Sequence, residues 1–154
     1  MLHTIILLIA LLVYSVLYSQ FLFYFVTMSA VQKSLEVTPY ILMRNQIDSH
    51  IRGKLKFFYY SCLISCVALT IVNMPYAGSI GFITSVIALA AIVADLFLTV
   101  KGNMPINNTI QTWSPGQYPP DWKEYRSRWF FFFHLRQLTG LIGFSSLIIQ
   151  AVFK

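Results

Sequence analysis

The chain has 154 residues, of which 57% are hydrophobic and 10% are charged, with a formal net charge of +6. Soluble domains carry roughly 25% charged residues, so the composition excludes an ordinary soluble fold, a disordered chain and a nucleic-acid-binding module. No internal repeat is visible, which also excludes a solenoid. The length is that of one compact unit, and we expect a single transmembrane domain over residues 1–154.

Four apolar stretches predict four transmembrane helices, at about residues 4–28, 39–74, 80–100 and 129–153. Each contains the roughly 17–25 residues that cross a bilayer. The second helix is longer than a span requires, because Pro39 can open it well before the apolar part begins. The sequence therefore predicts an all-α, up-and-down four-helix bundle in a membrane, whose second helix has a cytoplasmic extension.

Basic residues are concentrated in two connections between the predicted helices. Nine of the eleven Lys and Arg residues lie within residues 33–56 and 101–128, while the turn at 73–79 has none. The positive-inside rule places the basic connections in the cytoplasm, so we expect both termini to be non-cytoplasmic. We expect an integral protein of the bacterial inner (plasma) membrane that contacts the lipid bilayer and no nucleic acid. The Pro-rich and Asn-rich connection 101–128 is predicted to be a structured loop.

Two ionisable residues lie inside predicted spans, Asp95 in the third and Arg136 in the fourth. At about 1.5 Å per residue, both lie roughly 7–11 Å from the same membrane edge. Each shares a helix face with small residues, which mark close helix contacts in membranes. We therefore predict an Asp95–Arg136 contact, direct or through water. Two interpretations stay open: an ion pair that only fixes helix register, or one wall of a functional cavity.

Further polar side chains lie in the same half of the predicted bundle. A cavity among them would be small, partly apolar and walled by aromatic rings, which suits a flat organic or lipid-like ligand better than an ion. The tyrosines can also be explained as anchors at the membrane interface. These residues are Gln20, Tyr24, Tyr59, Tyr60, Cys62, Asn107 and Asn108.

Metal ligands are not grouped in this sequence. The three histidines lie in different places, and no two have the i, i+4 spacing of a helical metal site. Cys62 and Cys66 alone do not supply the usual four ligands. We expect neither a metal nor another cofactor. His134 points about 200° away from Arg136 on a regular helix, so it can face the same cavity only if the fourth helix is distorted.

The segment 102–108, Gly-Asn-Met-Pro-Ile-Asn-Asn, resembles the N-x-P-x-N signature of the anthrone oxygenase-like membrane family. Residues 120–122 and 128–129, followed by Arg136, resemble the tryptophan and the arginine of that family's last helix. His134 lies one residue from the position where the family often has His or Asn. The resemblance implies a four-helix membrane protein, and in some members a cofactor-independent conversion of an anthrone to an anthraquinone with dioxygen; most members are of unknown function.

The resemblance also implies roles for individual residues. Arg136 and Asn107 would stabilise an enolate-like anion. Asp95 would orient Arg136 or act as the base. Trp129 would stack on a flat substrate, and His134 could be the base only with a distorted helix. The candidate substrate-binding residues are Trp129, Gln20, Tyr24, Tyr60, Asn108 and His134.

Two functions remain open at this point. One is a cofactor-independent oxygenase, an oxidoreductase acting on a flat phenolic or quinone-like molecule. The alternative is a non-catalytic membrane accessory subunit or a small hydrophobic-ligand-binding protein. A homo-oligomer or a membrane-protein partner is compatible with both. A transporter is disfavoured because no inverted repeat is evident, and a channel because no helix has a continuous polar stripe.

Overall fold

A computed structural model describes residues 1–153, and the described chain is almost entirely helical. Two π-helical turns, Tyr24–Met28 and Thr99–Asn103, join α1 to α2 and α4 to α5, and a 3₁₀ turn, Met74–Tyr76, follows α3. The α-helices are α1 (Leu2–Phe23), α2 (Ser29–Ser34), α3 (Val37–Asn73), α4 (Ile80–Leu98), α5 (Met104–Gln111) and α6 (Trp122–Phe153).

Four continuous helical stretches are long and apolar enough to cross a membrane. They are Leu2–Ser34, Val37–Tyr76, Ile80–Gln111 and Trp122–Phe153. Only 28–33% of the apolar segment of each stretch is buried inside the protein, so most of the apolar side chains of these helices point outward. Helices whose backbone groups are satisfied internally and whose outer surface is apolar are what a bilayer accepts. The predicted all-α class is confirmed, and the fold is compatible with an integral membrane protein.

The helices extend further than their apolar parts. The second helix begins at Val37, close to the predicted residue 39, and its polar extension is present. The predicted loop 101–128 is wrong in part, because its first half is a π turn followed by α5, and α6 begins at Trp122 rather than at residue 129. Hydropathy detects only the apolar part of a helix, and Pro105 is tolerated because it lies in the first turn of α5.

The core consists of two adjoining clusters. One is aliphatic and lies among α1, α3, α4 and α6, around Leu69 and Leu147. The other is aromatic and includes Trp129 and Phe133. α6 approaches α1 closely at Gly140, where an added Cβ would lie 2.9 Å from the ring of Phe21. This close packing brings the middle of α6 into contact with α1 and α4.

Candidate functional site

The predicted contact between the two intramembrane charges is present and direct. The Arg136 Nε group donates a hydrogen bond to Asp95 Oδ1 at 2.7 Å, and both side chains are buried. Asp95 lies on α4 and Arg136 on α6, the two helices that form the most extensive helix pair of the described fold. A buried ion pair of this kind persists only when its remaining hydrogen-bonding groups are also satisfied.

Tyr59 and Asn103 satisfy most of those groups. The Tyr59 hydroxyl donates to Asp95 Oδ2 at 2.7 Å and accepts from Arg136 Nη2 at 2.7 Å. Asn103 Oδ1 accepts from Arg136 Nη1 at 3.1 Å, and its Nδ2 group donates to the Trp129 carbonyl at 2.9 Å. We call Asp95, Arg136, Tyr59 and Asn103 the inner cluster.

A second polar network is centred on Asn107. Its Oδ1 atom accepts from Arg44 Nη2 at 2.6 Å and from Trp129 Nε1 at 2.8 Å. Its Nδ2 group donates to Asp48 Oδ1 at 3.1 Å. The Arg44 guanidinium also lies over the Trp129 ring, 4.1 Å from the ring centroid. One amide therefore ties α3, α5 and α6 together.

Asp48 is the second centre of this network. Arg52 Nη2 lies 2.7 Å from Asp48 Oδ2, and Gln111 donates to the same carboxylate oxygen. The Arg52 side chain is 40% exposed, so this network reaches the surface. We call Arg44, Asp48, Arg52, Asn107 and Gln111 the outer cluster.

The two π-helical turns contain residues of the inner cluster and of the nearby aromatic surface. The turn Thr99–Asn103 includes Asn103 of the inner cluster, and the turn Tyr24–Met28 begins with Tyr24. Gln137 of α6 donates to the Phe21 carbonyl at 2.9 Å, and Phe21 lies just before the turn Tyr24–Met28. Single π-helical turns inside longer helices are frequent at functional sites because they redirect side chains.

A cavity of about 300 Å³ lies between the inner and outer clusters. Its size is at the lower end of the range for small-molecule sites. Its walls are mostly apolar and aromatic, contributed by α1, α3, α4 and α6. Its polar and aromatic lining side chains are Gln20, Phe21, Tyr24, Arg44, Asp48, Arg52, Lys56, Tyr59, Tyr60, Thr99, Asn103, Asn107, Trp129, Phe133 and Arg136.

Most of the residues proposed from the sequence lie at this cavity. Tyr60 lines it while remaining 60% exposed. The Trp129 ring already packs against Phe133, with parallel planes and centroids 4.9 Å apart, as well as against Arg44. The predicted residues that line the cavity are Arg136, Asn107, Trp129, Gln20, Tyr24 and Tyr60.

Three predicted residues do not line the cavity. Asp95 lies behind its wall, with each carboxylate oxygen directed to Arg136 or Tyr59. Asn108 is exposed and accepts from Arg52 at 3.0 Å. His134 is also exposed, and its Nδ1 atom lies 2.8 Å from Gln137 Oε1. α6 continues regularly through this region, so His134 points away from the cavity, as regular helical spacing requires.

The candidate site residues predicted from the sequence do not include Arg44, Asp48 or Asn103, and they include Tyr60 rather than Tyr59, although both tyrosines are expected near the cavity. Arg44, Asp48 and Arg52 recur every four residues, which places them on one face of a helix. That spacing is a usable signal, but the positive-inside rule treats Arg44 and Arg52 only as charges that set the orientation, and it does not consider Asp48. Asn103 belongs to the N-x-P-x-N segment. For Tyr59 and its neighbour Tyr60, nothing in the sequence indicates which of the two enters the bundle.

The cavity is rich in cations and poor in metal ligands. Four cationic side chains line it against one carboxylate, that of Asp48. Among residues 1–153, no three His, Cys, Asp or Glu side chains are grouped so that they could hold a metal ion. The chemistry of the lining therefore favours an organic ligand with oxygen atoms, to which arginine and amide N–H groups can donate.

Comparison with known proteins found no match to this chain. No family model, curated protein or solved structure matches the chain. The resemblance to the anthrone oxygenase-like family therefore depends on the residues of the segment 102–108 and those that follow it. Any function has to be argued from the cavity and its lining.

Proposed function

We propose that this chain is an integral membrane protein that binds a flat phenolic or quinone-like molecule in its cavity and oxygenates it with dioxygen. The observation that carries the proposal is the inner cluster, in which Arg136 and Tyr59 are held together at the wall of an aromatic cavity. The binding step rests on this geometry. The oxygenation step rests in addition on the resemblance described above.

The inner cluster has hydrogen-bonding capacity to spare. Arg136 has five N–H groups and uses three of them, so two remain for a ligand oxygen. The Tyr59 hydroxyl donates once and accepts once, which leaves one lone pair. A phenolic oxygen can accept from Arg136 and donate to Tyr59. This pair is therefore complementary to a phenol, and its arginine alone to a quinone carbonyl.

The rest of the cavity suits a ring system. Phe21, Tyr24 and Phe133 line it with aromatic surface, and Leu17 and Leu96 add aliphatic surface. Apolar walls hold a flat apolar body and exclude water, which strengthens hydrogen bonds at the polar end. Dioxygen is apolar and partitions readily into such surroundings.

The proposed reaction balances for an anthrone, because anthrone and dioxygen give anthraquinone and water. A proton leaves the ring carbon opposite the carbonyl, dioxygen adds there to form a hydroperoxide, and loss of water forms the second carbonyl. Arg136 and Asn107 would stabilise the intermediate anion. Because Asp95 lies behind the wall, it would act through Tyr59, orienting Arg136 and accepting the proton that the Tyr59 hydroxyl relays.

The placement in the membrane is part of the proposal. The outer cluster and the basic segment 33–56 lie at one end of the bundle, and basic residues favour the cytoplasmic side. We propose an up-and-down bundle in the bacterial inner membrane, with both termini outside and the outer cluster near the cytoplasmic surface.

A matched pair of ligands tests the binding step. The purified chain, in lipid nanodiscs, should bind anthrone and should bind anthracene at least about tenfold more weakly, because anthracene lacks the carbonyl oxygen that would accept from Arg136. Tryptophan fluorescence quenching measures both affinities. Equal affinities for the two molecules would remove the proposal.

A substitution tests the role of the inner cluster. Tyr59→Phe keeps the ring and removes the hydroxyl, so it should weaken the binding of a phenol, naphthol, by about tenfold, because the phenolic O–H loses its acceptor. Tyr76→Phe, the same change at an exposed position beyond α3, is the control and should leave binding unchanged. Oxygen uptake in step with anthraquinone formation would support the oxygenase.

A second candidate function is favoured by one feature of the site. Both Asp95 oxygens accept hydrogen bonds, and both oxygens of Asp48, the carboxylate that lines the cavity, are bonded to Asn107, Arg52 and Gln111, so the cavity presents no free carboxylate base. Tight anthrone binding without oxygen uptake would therefore support a non-catalytic ligand-binding protein or accessory subunit.

A further inference from the structure

The charges at the cavity do not balance. Arg52 is paired with Asp48, and Arg136 is paired with Asp95 behind the wall. The two other cations of the lining, Arg44 and Lys56, form no ion pair within residues 1–153. Lys56 is exposed to solvent, where a lone ammonium group costs little. Arg44 is not, and it therefore needs a separate explanation.

Arg44 is a buried cation with few partners. It is 4% exposed and donates through Nη2 to Asn107, while its Nε group has no hydrogen-bond partner in the described chain. Burying a charged group without an opposite charge is costly. Arg44 also lines the cavity, and a guanidinium can bind a carboxylate through two parallel N–H groups. The side chain is thus suited to an anion from outside the chain.

The unpaired cation lies at a useful distance from the inner cluster. Arg44 contacts Trp129, and Arg136 follows Trp129 on α6 by seven residues. Seven residues correspond to a rise of about 10 Å along a helix. The cavity therefore presents cationic groups at two levels, with aromatic surface between them. One fused ring system with oxygen atoms at its two ends could reach both.

We propose that the ligand is an aromatic acid, with its carboxylate on Arg44 and its hydroxyl or carbonyl oxygen on Arg136 and Tyr59. This inference rests on the proposed function and narrows its substrate class. Arg52 and Lys56 also line the cavity, and their positive charge attracts an anion toward the entrance. A neutral phenol would bind Arg136 and Tyr59 at one end of the cavity and would leave Arg44 at the other end without an anion.

Three naphthalene derivatives distinguish the contributions that the two ends of the cavity make to binding. The first is a hydroxynaphthoate whose hydroxyl and carboxylate lie at opposite ends of the fused rings; naphthol lacks the carboxylate, and naphthoate lacks the hydroxyl. The full chain in nanodiscs of neutral phosphatidylcholine should bind the hydroxynaphthoate about tenfold to a hundredfold more tightly than naphthol. Isothermal titration calorimetry measures the three affinities without any substitution in the protein. Equal affinities for hydroxynaphthoate and naphthol would overturn the proposal.

Two variants then assign the preference to Arg44. Arg44→Gln should abolish the preference for the acid, so that hydroxynaphthoate and naphthol bind this variant with about equal affinity. Lys54→Gln removes the same charge from an exposed position on the same helix, outside the cavity, and is the matched control. Arg44→Lys keeps the charge and should keep part of the preference. A preference for the acid that survives Arg44→Gln would contradict the assignment.

A last experiment distinguishes two sources of the anion on Arg44, a soluble aromatic acid and a lipid headgroup. Two measurements test for a lipid: whether nanodiscs that contain phosphatidylglycerol block hydroxynaphthoate binding, and whether the wild-type chain but not Arg44→Gln retains phosphatidylglycerol on purification. If both results are positive, the anion on Arg44 is a lipid headgroup and the aromatic acid is excluded. Failure of this inference leaves the proposed function intact, because anthrone and naphthol test the other end of the cavity. Loss of binding of every ring compound would remove both.

Discussion

The inner and outer clusters use the same kinds of side chain and differ in how completely these are paired. In the inner cluster, one carboxylate and one guanidinium face each other, and Tyr59 and Asn103 occupy further positions around them. In the outer cluster, one carboxylate stands against two guanidinium groups, and one of these, Arg52, reaches the surface. The first network is electrically balanced and buried, which we call closed, whereas the second reaches the surface, which we call open, and has an excess positive charge.

This difference in charge balance assigns the two clusters different main roles, which are to fix the helices relative to one another and to recognise the charge of a ligand. A balanced pair deep between helices fixes their register and keeps Arg136 in place with little freedom to move. An unbalanced network near a surface has groups that an incoming molecule can use, and its charge can attract that molecule. The inner cluster is therefore expected to dominate the stability of the fold, and the outer cluster the choice of ligand.

The largest effect is expected when the balanced pair is broken. Asp95→Ala leaves the buried Arg136 charge without its partner and should lower the free energy of unfolding by about 3–5 kcal/mol. Unfolding in mixed detergent micelles, followed by circular dichroism, measures this loss. A double replacement, Asp95→Leu with Arg136→Met, should recover at least half of it, because no unpaired charge is left.

The same substitution in the outer cluster is the matched control. Asp48→Ala should lower the free energy of unfolding by about 1–2 kcal/mol, since Arg52 can turn to water once its partner is lost. If Asp48→Ala costs as much as Asp95→Ala, the distinction between a closed and an open network does not hold.

Much of the helical framework and part of the site can be predicted from the sequence. Asp95 and Arg136 stand out because a charge in an apolar stretch is rare, and their matched depth, together with the small residues on the same helix faces, predicts their contact. The helix extensions could not be predicted from hydropathy, because residues 101–111 and 122–128 are polar enough to resemble a loop. Their helical form depends on tertiary contacts, such as the bond from Asn107 to Trp129.

The residues that sequence reasoning missed were missed for two different reasons. Arg44 and Asp48 carry charges that the positive-inside rule and a solvated surface explain equally well, so only packing shows that they are buried. Tyr59 and Tyr60 are neighbours of the same type, and the choice between them is set by the rotation of α3 about its axis. Asn103 faces Arg136 from a π-helical turn, whose extra residue changes the helical phase that a sequence analysis assumes.

Two neighbouring asparagines provide a test of intermediate size. Asn107→Ala removes a partner from Arg44, Trp129 and Asp48 together, and should lower the free energy of unfolding by about 1–3 kcal/mol. Asn108→Ala loses a single bond to the exposed Arg52 and should stay within about 0.5 kcal/mol of wild type. Detergent unfolding of both variants measures the difference. Equal losses would show that Asn107 is not the centre of the outer cluster.

The smallest effect is expected at the exposed end of the outer cluster. Arg52→Gln removes an ion pair whose arginine is 40% exposed, and such pairs contribute at most about 1 kcal/mol. The loss should shrink further near 1 M salt, because screening weakens a pair that water can reach. Unfolding at low and high salt, with Lys54→Gln as the control for charge alone, measures it. A loss above about 2 kcal/mol that persists in high salt would show that water does not screen this pair, and the contrast between an exposed outer cluster and a buried inner cluster would not hold.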